Sequence, residues 1–287
     1  MGVKILKHKK TYHVYGNGLG SFKTKNNLTI NAGNSGTLAR TVMGLLATYP
    51  HKIKISGDQS LSKRPMERII SPLKEFGCNF EPKNKKTLPL FITGSEMPIA
   101  INHEEKIGSA QVKSSIIFAS LNSPGITEIK ELKRSRDHTE NMLKFVGASI
   151  KIKRFKNYNL ISIEGQKDFK AFNLTIPGDI SSAAFFIVLT LLNKNSIIKL
   201  KNINLNPTRL GVIKILKKMN AQIKLIKLKT ICGEKVGDIV VKSSNLKAIN
   251  CPALLAPSAI DEFPILMIAA AKADGISTFS GLDELNK

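Results

Sequence analysis

Gly33-Asn34-Ser35-Gly36-Thr37 is a stretch built to hold an anion. Gly33 and Gly36 permit a tight turn and a close approach of backbone to ligand. Asn34, Ser35 and Thr37 are residue types that cap helix N-termini. The apolar run Leu38–Leu46 behind them reads as a buried helix. Such a helix start presents unpaired N–H groups and the positive end of a dipole, which suits a phosphate or a carboxylate. By itself it also describes a capping turn that binds nothing, so the argument rests on recurrence. Polar turns open three later helices: Gly108-Ser109-Ala110-Gln111, Pro177-Gly178-Asp179-Ile180-Ser181-Ser182 and Pro257-Ser258-Ala259-Ile260-Asp261-Glu262. Two loops add cations. In Gly57–Met66, Arg64 precedes Pro65, which is read as a first helical residue. The other loop is Arg134-Ser135-Arg136-Asp137-His138-Thr139. A guanidinium can grip a carboxylate or phosphate with two parallel bonds. Taken singly, each arginine also reads as a solvated loop charge, and Asp137 and Asp261 as helix N-caps.

The elements that must position these residues follow a rhythm. An alternating run at Thr11–Tyr15 and a Gly16-Asn17-Gly18 turn come first, with no strand pair completed before the glycine-rich site. Then the pattern predicts a strand (Leu28–Asn31), a helix (Thr37–Ala47), a strand (Lys52–Ser56), a helix (Arg64–Phe76) and strands at Cys78–Glu81 and Leu88–Thr93. The second unit runs from Pro98–Asn102 through helices Gln111–Leu121 and Asp137–Phe145, around strand Ile126–Leu132, to strands Ser149–Lys153 and Leu160–Ile163. The third has Leu174–Ile176, helices Ser181–Leu192 and Arg209–Met219, and strands Ser196–Leu200, Gln222–Ile226 and Asp238–Lys242. A helix at Ile260–Ala273 and a strand at Ile276–Phe279 open a fourth. Gly77, Gly147 and Asn220 end the second helix of each complete unit, 70 and 73 residues apart. Gly or Asn is the left-handed residue expected there. The chain is therefore an internal repeat of βαβαββ units, with helices gathered inward and sheets outward. It begins and stops out of phase with that repeat, so both ends are expected to be cut.

Composition bounds the function classes. With 287 residues and 42% hydrophobic content, the chain has room for two globular domains. The apolar run Ala183–Leu192 is too short to span a bilayer, and Met1–Lys10 lacks the apolar core of a secretory signal. Three widely spaced cysteines, Cys78, Cys232 and Cys251, read as reduced thiols of a cytoplasmic protein. Five histidines show no metal-ligand spacing. The net charge of +23 suits anionic partners. Most of it is scattered lysine, and 13 Phe, 4 Tyr and no Trp offer little for base stacking.

The polar stretches, taken together, resemble the 5-enolpyruvylshikimate-3-phosphate synthase family. The resemblance is carried by Gly33-Asn34-Ser35-Gly36-Thr37, Gly57-Asp58 with Ser60-Leu61 and Arg64-Pro65-Met66, Ser109-Ala110-Gln111-Val112-Lys113-Ser114, Ser135-Arg136-Asp137-His138-Thr139-Glu140 and Pro177-Gly178-Asp179-Ile180-Ser181-Ser182-Ala183-Ala184. Asn206-Pro207-Thr208-Arg209 and Ile260-Asp261-Glu262-Phe263-Pro264 fit as well. The resemblance implies an α/β fold of two lobes, an inside-out barrel of repeated units, with ligands in a cleft between the lobes. It implies transfer of the enolpyruvyl group of phosphoenolpyruvate to the 5-hydroxyl of shikimate 3-phosphate, with release of phosphate and no metal or other cofactor. Asn34, Gly36, Arg64 and Gln111 are then expected at phosphoenolpyruvate. Ser109, Ala110, Gln111, Ser135, Arg136 and Asp261 are expected at shikimate 3-phosphate, with Asp261 the candidate catalytic base.

The first lobe is expected to cover residues 1–176 and the second 177–287, in a monomer without nucleic-acid or membrane partners. The family's opening loop, with a Lys-Ser pair and an Arg, has no counterpart in this sequence. Gly281–Lys287 looks like the lead-in to the family's Lys-Glu and Arg motif. The chain is thus expected to be an internal fragment that does not turn over alone. Two other readings compete. The sister enzyme acting on UDP-N-acetylglucosamine carries a loop cysteine, but Gly57–Lys63 contains none. A non-enzymatic polyanion binder predicts salt-sensitive binding but does not explain the recurring helix starts.

Overall fold

The computed structural model describes residues 1–282 and Leu285. Of the closing run Gly281–Lys287, residues 283, 284, 286 and 287 lie outside the described ones. The chain forms two compact units, Met1–Arg134 with Val146–Ala171, and Ser135–Phe145 with Phe172–Lys287.

The first unit opens with a hairpin of β1 (Lys4–His8) and β2 (Thr11–Tyr15), paired from Lys4↔Tyr15 to His8↔Thr11. This corrects the expectation that no strand pair precedes the glycine-rich site. Every residue of both strands is exposed. With neither face buried, the lysine-rich β1 carries no alternation to be read.

The repeat follows. β3 (Thr29–Asn31), α1 (Gly36–Leu46), β4 (Lys52–Ser56), α2 (Glu67–Glu75), β5 (Asn79–Glu81) and β6 (Leu90–Thr93) give a sheet ordered β3-β4-β6-β5. β7 (Asn102–Glu105), α3 (Ala110–Ser120), β8 (Ile126–Glu131), α4 (His138–Phe145), β9 (Ile150–Arg154) and β10 (Asn159–Glu164) give β7-β8-β10-β9. In both sheets the first pair is parallel and the others antiparallel, so the two are topologically the same. The run at Pro98–Asn102 opens the unit, but its first strand lies at Asn102–Glu105, hidden by its polar residues. Glu105 is buried and accepts the Ile107 and Gly108 N–H groups at 3.1 and 2.7 Å, which turns the chain toward α3.

In the second unit, α5 (Ile180–Leu192), β11 (Ile197–Asn204), α6 (Gly211–Lys218), β12 (Gln222–Ile231) and β13 (Glu234–Lys242) form a third copy, ordered β11-β13-β12. Leu174–Ile176 makes no strand; only a parallel bridge, Gly178↔Ile203, marks the first-strand position. Pro177, just before the bridge, has no N–H to donate to a ladder. β14 (Asn250–Cys251), α7 (Phe263–Ala271) and β15 (Thr278–Phe279) open a fourth copy, β14 pairing parallel with β15.

Within the first unit, α1, α2 and α3 pack on one another and on the two four-stranded sheets. α1 meets α3 at Gly44, where an added Cβ would lie 2.1 Å from the Ser115 carbonyl oxygen. α3 is buried on most sides, and its Lys113 Nζ donates to Glu131 Oε1 at 2.7 Å. The second unit buries α5, α6 and α7 residues such as Ile187, Leu216 and Phe263 against Ile239 and Val241 of β13. Cys78, Cys232 and Cys251 are buried free thiols, and burial pushes Cys78 up to about 12. No helix among the described residues is long and apolar enough to cross a membrane.

Candidate functional site

The sequence-derived site residues fall into two groups, one in each unit. In the first unit, Ser35 caps α1 by accepting the Leu38 N–H at 3.1 Å, and Ser109 caps α3 by accepting the Val112 N–H at 3.4 Å. Both caps leave the first-turn amides at the helix mouth. Gly36 is the first residue of α1 and Ala110 the first of α3. Gln111 joins the two helix starts. Its Nε2 donates to Thr37 Oγ1 at 2.9 Å, and its Oε1 accepts from Arg40 Nη1 at 2.5 Å.

Arg64 comes to the same place. A short 3-10 turn at Leu61–Lys63 precedes it, and Arg64 itself is extended, with φ −77° and ψ 138°. The residue before a proline is pushed into that region. Pro65 is therefore not a first helical residue, since α2 begins at Glu67. A Cβ on Gly36 would lie 3.4 Å from Arg64 Nη1 and 3.6 Å from Arg40 Nη1. A side chain at Gly36 would thus touch two guanidiniums and Leu61.

Arg40 belongs to this group although the sequence reading assigned it no role. It lies four residues after Gly36, on the same helix face, and that spacing is the signal that could have found it. Burial pulls its pKa below the ordinary value, and repulsion from Arg64 and Arg68 lowers it further. An anion at the helix mouth relieves such repulsion. Asn34 has a different local task. Its Nδ2 donates to Asp58 Oδ2 at 2.6 Å, while Asp58 N donates to the Gly33 carbonyl at 2.8 Å. Asp58 Oδ1 accepts from Leu61 N at 2.7 Å. These bonds fasten the Gly33 loop to the Arg64 loop. The Leu61 N–H, then the Asn34 amide, hold the Asp58 carboxyl below the usual carboxylate range.

In the second unit, Ser135 and Arg136 lead into α4. Arg136 Nη2 donates to Asp261 Oδ2 at 2.5 Å. Asp261 is not a helix cap: it sits in the 3-10 turn Ile260–Glu262, and α7 starts at Phe263 rather than at Ile260. The α4 entry is tied down by a polar network. Asp137 Oδ1 accepts from Asn206 Nδ2 at 2.7 Å, and His138 Nδ1 lies 2.9 Å from Glu234 Oε1. Asn206 Nδ2 and Asn141 Nδ2 also reach Glu234, at 3.0 and 3.3 Å. Burial opposes charge on Glu234, but the bonds from His138, Asn206 and Asn141 outweigh it and keep its pKa below the ordinary value. Arg209 lies between Asp179, Ser181, Asp261 and Glu262, a second arginine to which the sequence reading gave no role.

The first group brings together Gly36, Arg64 and Gln111, with Ser109 and Ala110 on the same helix start; the second brings together Arg136 and Asp261. Among the described residues, no cluster of three or more His, Cys, Asp or Glu side chains has the arrangement of a metal site.

The sequence model of EPSP synthase (3-phosphoshikimate 1-carboxyvinyltransferase) matches residues 1–287. The 3-phosphoshikimate 1-carboxyvinyltransferase of Zymomonas mobilis subsp. mobilis is 44% identical over 286 residues, covering 99% of this chain and 63% of that protein. The protein of the same name from Endomicrobium trichonymphae is also 44% identical, over 99% of this chain and 65% of that protein. A solved structure of EPSP synthase from Acinetobacter baumannii superposes with a TM-score of 0.86 at 39% identity, over 100% of this chain and 64% of that one. The chain thus spans less than two thirds of the length of these relatives.

Proposed function

This chain belongs to the EPSP synthase family, and from that premise we propose that it carries anion-binding and proton-transfer groups for enolpyruvyl transfer. The reaction joins phosphoenolpyruvate to shikimate 3-phosphate. The 5-hydroxyl gives up its proton to a base and adds to C2 of the enolpyruvate as C3 takes a proton; the tetrahedral intermediate then loses a C3 proton as it expels phosphate, which restores the double bond. Such chemistry needs fixed donors around two phosphates and a carboxylate, and an acid/base group at the hydroxyl. Asn34, Gly36, Arg64 and Gln111 bind phosphoenolpyruvate in this reading, and Arg40 joins them. Ser109, Ala110, Gln111, Ser135 and Arg136 bind shikimate 3-phosphate. Asp261 accepts its hydroxyls and acts as base.

The observation that carries the reading is the meeting of two capped helix starts, Arg40, Arg64 and Gln111 around the missing side chain of Gly36. The proposal extends to a monomeric cytoplasmic protein with no cofactor, and to lobes at 1–176 and 177–287, the boundary set by the repeat rather than by the two compact units, the second of which also takes in Ser135–Phe145 and starts at Phe172.

Calorimetric titration of the 287-residue chain with shikimate 3-phosphate and with UDP-N-acetylglucosamine tests the substrate. We expect saturable heat from the first and none from the second. Preference for the uridine nucleotide would transfer the assignment to the sister enzyme. Salt-sensitive binding of any polyanion alike would favour an unspecific binder. With both substrates present, the same 287 residues are expected to release no phosphate, because they span less than two thirds of the length of the relatives. Turnover at the level of an intact relative would refute that expectation.

A further inference from the structure

Arg209 stands at the end of a one-turn 3-10 segment, Pro207–Arg209, held by Asn206, whose Oδ1 accepts the Thr208 N–H at 2.8 Å. Asn206 is fully buried and also tied to Asp137, so the base of this segment is fixed. The Arg209 side chain is only 12% exposed. Its Nη2 lies 3.3 Å from Glu262 Oε1, 3.6 Å from Asp179 Oδ1 and 3.8 Å from Asp261 Oδ2, and it donates to Ser181 Oγ. Ser181 Oγ in turn donates to Glu262 Oε1.

One guanidinium therefore serves three carboxylates from two parts of the unit, the start of α5 and the turn before α7. Among the described residues, the ion pairs here are Arg209 with Asp179, Asp261 and Glu262, and Arg136 with Asp261. Without Arg209, Asp261 would keep Arg136, while Asp179 and Glu262 would lose the ion pair they make among the described residues. Like charges so placed push one another apart or take up protons. Glu262 is 2% exposed and has little room to move, whereas the Asp261 side chain is 47% exposed and, with Arg209 gone, would be held by Arg136 alone. Burial works against charge on Asp179, but Ser182 and then Arg209 hold its pKa below the ordinary value. Arg209 thus stands at the centre of the cluster, within 3.3–3.8 Å of all three carboxylates.

We propose that Arg209 is a positioning residue that aims the carboxylate of Asp261 at the bound substrate, acting through Asp261 and not on the ligand itself. The proposal rests on the reading of Asp261 as the shikimate 3-phosphate contact and base. A charge-based role requires a cation at 209; packing alone would be served as well by methionine, which has a similar stem.

A double-mutant cycle tests it, with shikimate 3-phosphate binding to the full chain read by calorimetry and each variant's fold checked by its melting temperature. Arg209→Met is expected to weaken binding about tenfold in the native background and less than about twofold in Asp261→Asn, since interacting residues are not additive. Arg209→Lys, which keeps the charge, is expected to recover at least about half of that loss on a logarithmic scale. Equal losses from Arg209→Met in both backgrounds would overturn the proposal, as would Arg209→Lys and Arg209→Met behaving alike. If Asp261→Asn weakens binding while both Arg209 variants bind normally, the proposal fails and the reading of Asp261 stands. If Asp261→Asn binds as the native chain does, or the native chain does not bind, the underlying reading itself fails.

Discussion

Arg64→Ala is expected to weaken phosphoenolpyruvate binding about 100-fold, roughly 3 kcal/mol, without lowering the melting temperature. The size follows from losing charge-assisted bonds to a ligand phosphate or carboxylate, each stronger than a neutral hydrogen bond. The absence of a stability cost follows from the surroundings. Arg64 is exposed, and the repulsion by which it lowers the pKa of Arg40 offsets its attraction to Asp58. Removing it relieves the repulsion and gives up the attraction, and the two roughly cancel. Arg64→Lys is expected to restore only part of the affinity, because an ammonium cannot present the planar two-pronged donor set. Calorimetric titration with phosphoenolpyruvate, beside thermal unfolding, checks both halves. A variant that binds normally would remove Arg64 from the site, and one that unfolds early would make its role structural.

Gly44→Ala is expected to cost about 3 kcal/mol of stability, at the upper end of what overpacking normally costs. A methyl group there meets the Ser115 carbonyl oxygen at 2.1 Å and its Cα at 2.8 Å. These are backbone atoms of a buried helix, so neither side can yield by changing a rotamer. α1 and α3 must separate, and they carry Gly36 and Gln111 at their starts. Phosphoenolpyruvate affinity is therefore expected to fall along with stability, although Gly44 lies two turns away from Gly36. The loss corresponds to about 6–12 °C in the unfolding midpoint. Gly16→Ala, with nothing within 4 Å of the added methyl, is the control and is expected to leave the midpoint within experimental scatter. A Gly44→Ala chain as stable as the control would mean the helices do not cross closely at this point.

The residues that made the repeat legible were those whose local physics decides their conformation. Gly77 and Gly147 take positive φ of 95° and 89°, and Asn220 takes 70°, so the helix ends could be read from residue type. Ser35 and Ser109 cap their helices as side-chain chemistry alone would have them do. What stayed hidden depended on partners distant in sequence. β7 is Asn-His-Glu-Glu, which has no strand character until β8 pairs with it and Glu105 finds two amide donors. β1 is exposed on both faces and carries no pattern at all. Asp261 read equally well as a helix cap, and only the 3-10 turn at Ile260–Glu262 separates it from α7. Arg40 and Arg209 were visible as residues but not as members of a site, because their significance lies in what surrounds them: Arg64 and Arg68 for the one, three carboxylates for the other.

The most direct test of the account is the backbone-amide spectrum of the isotopically labelled 287-residue chain, recorded as shikimate 3-phosphate and then phosphoenolpyruvate are added. Shikimate 3-phosphate is predicted to move the amides of Ser109, Ala110, Gln111, Ser135, Arg136 and Asp261, and phosphoenolpyruvate those of Asn34, Gly36, Arg64 and Gln111. Shifts scattered over the lysine-rich surfaces, with the two helix starts and the Arg136 loop silent, would contradict the claim that these amides and guanidiniums recognise the two anions.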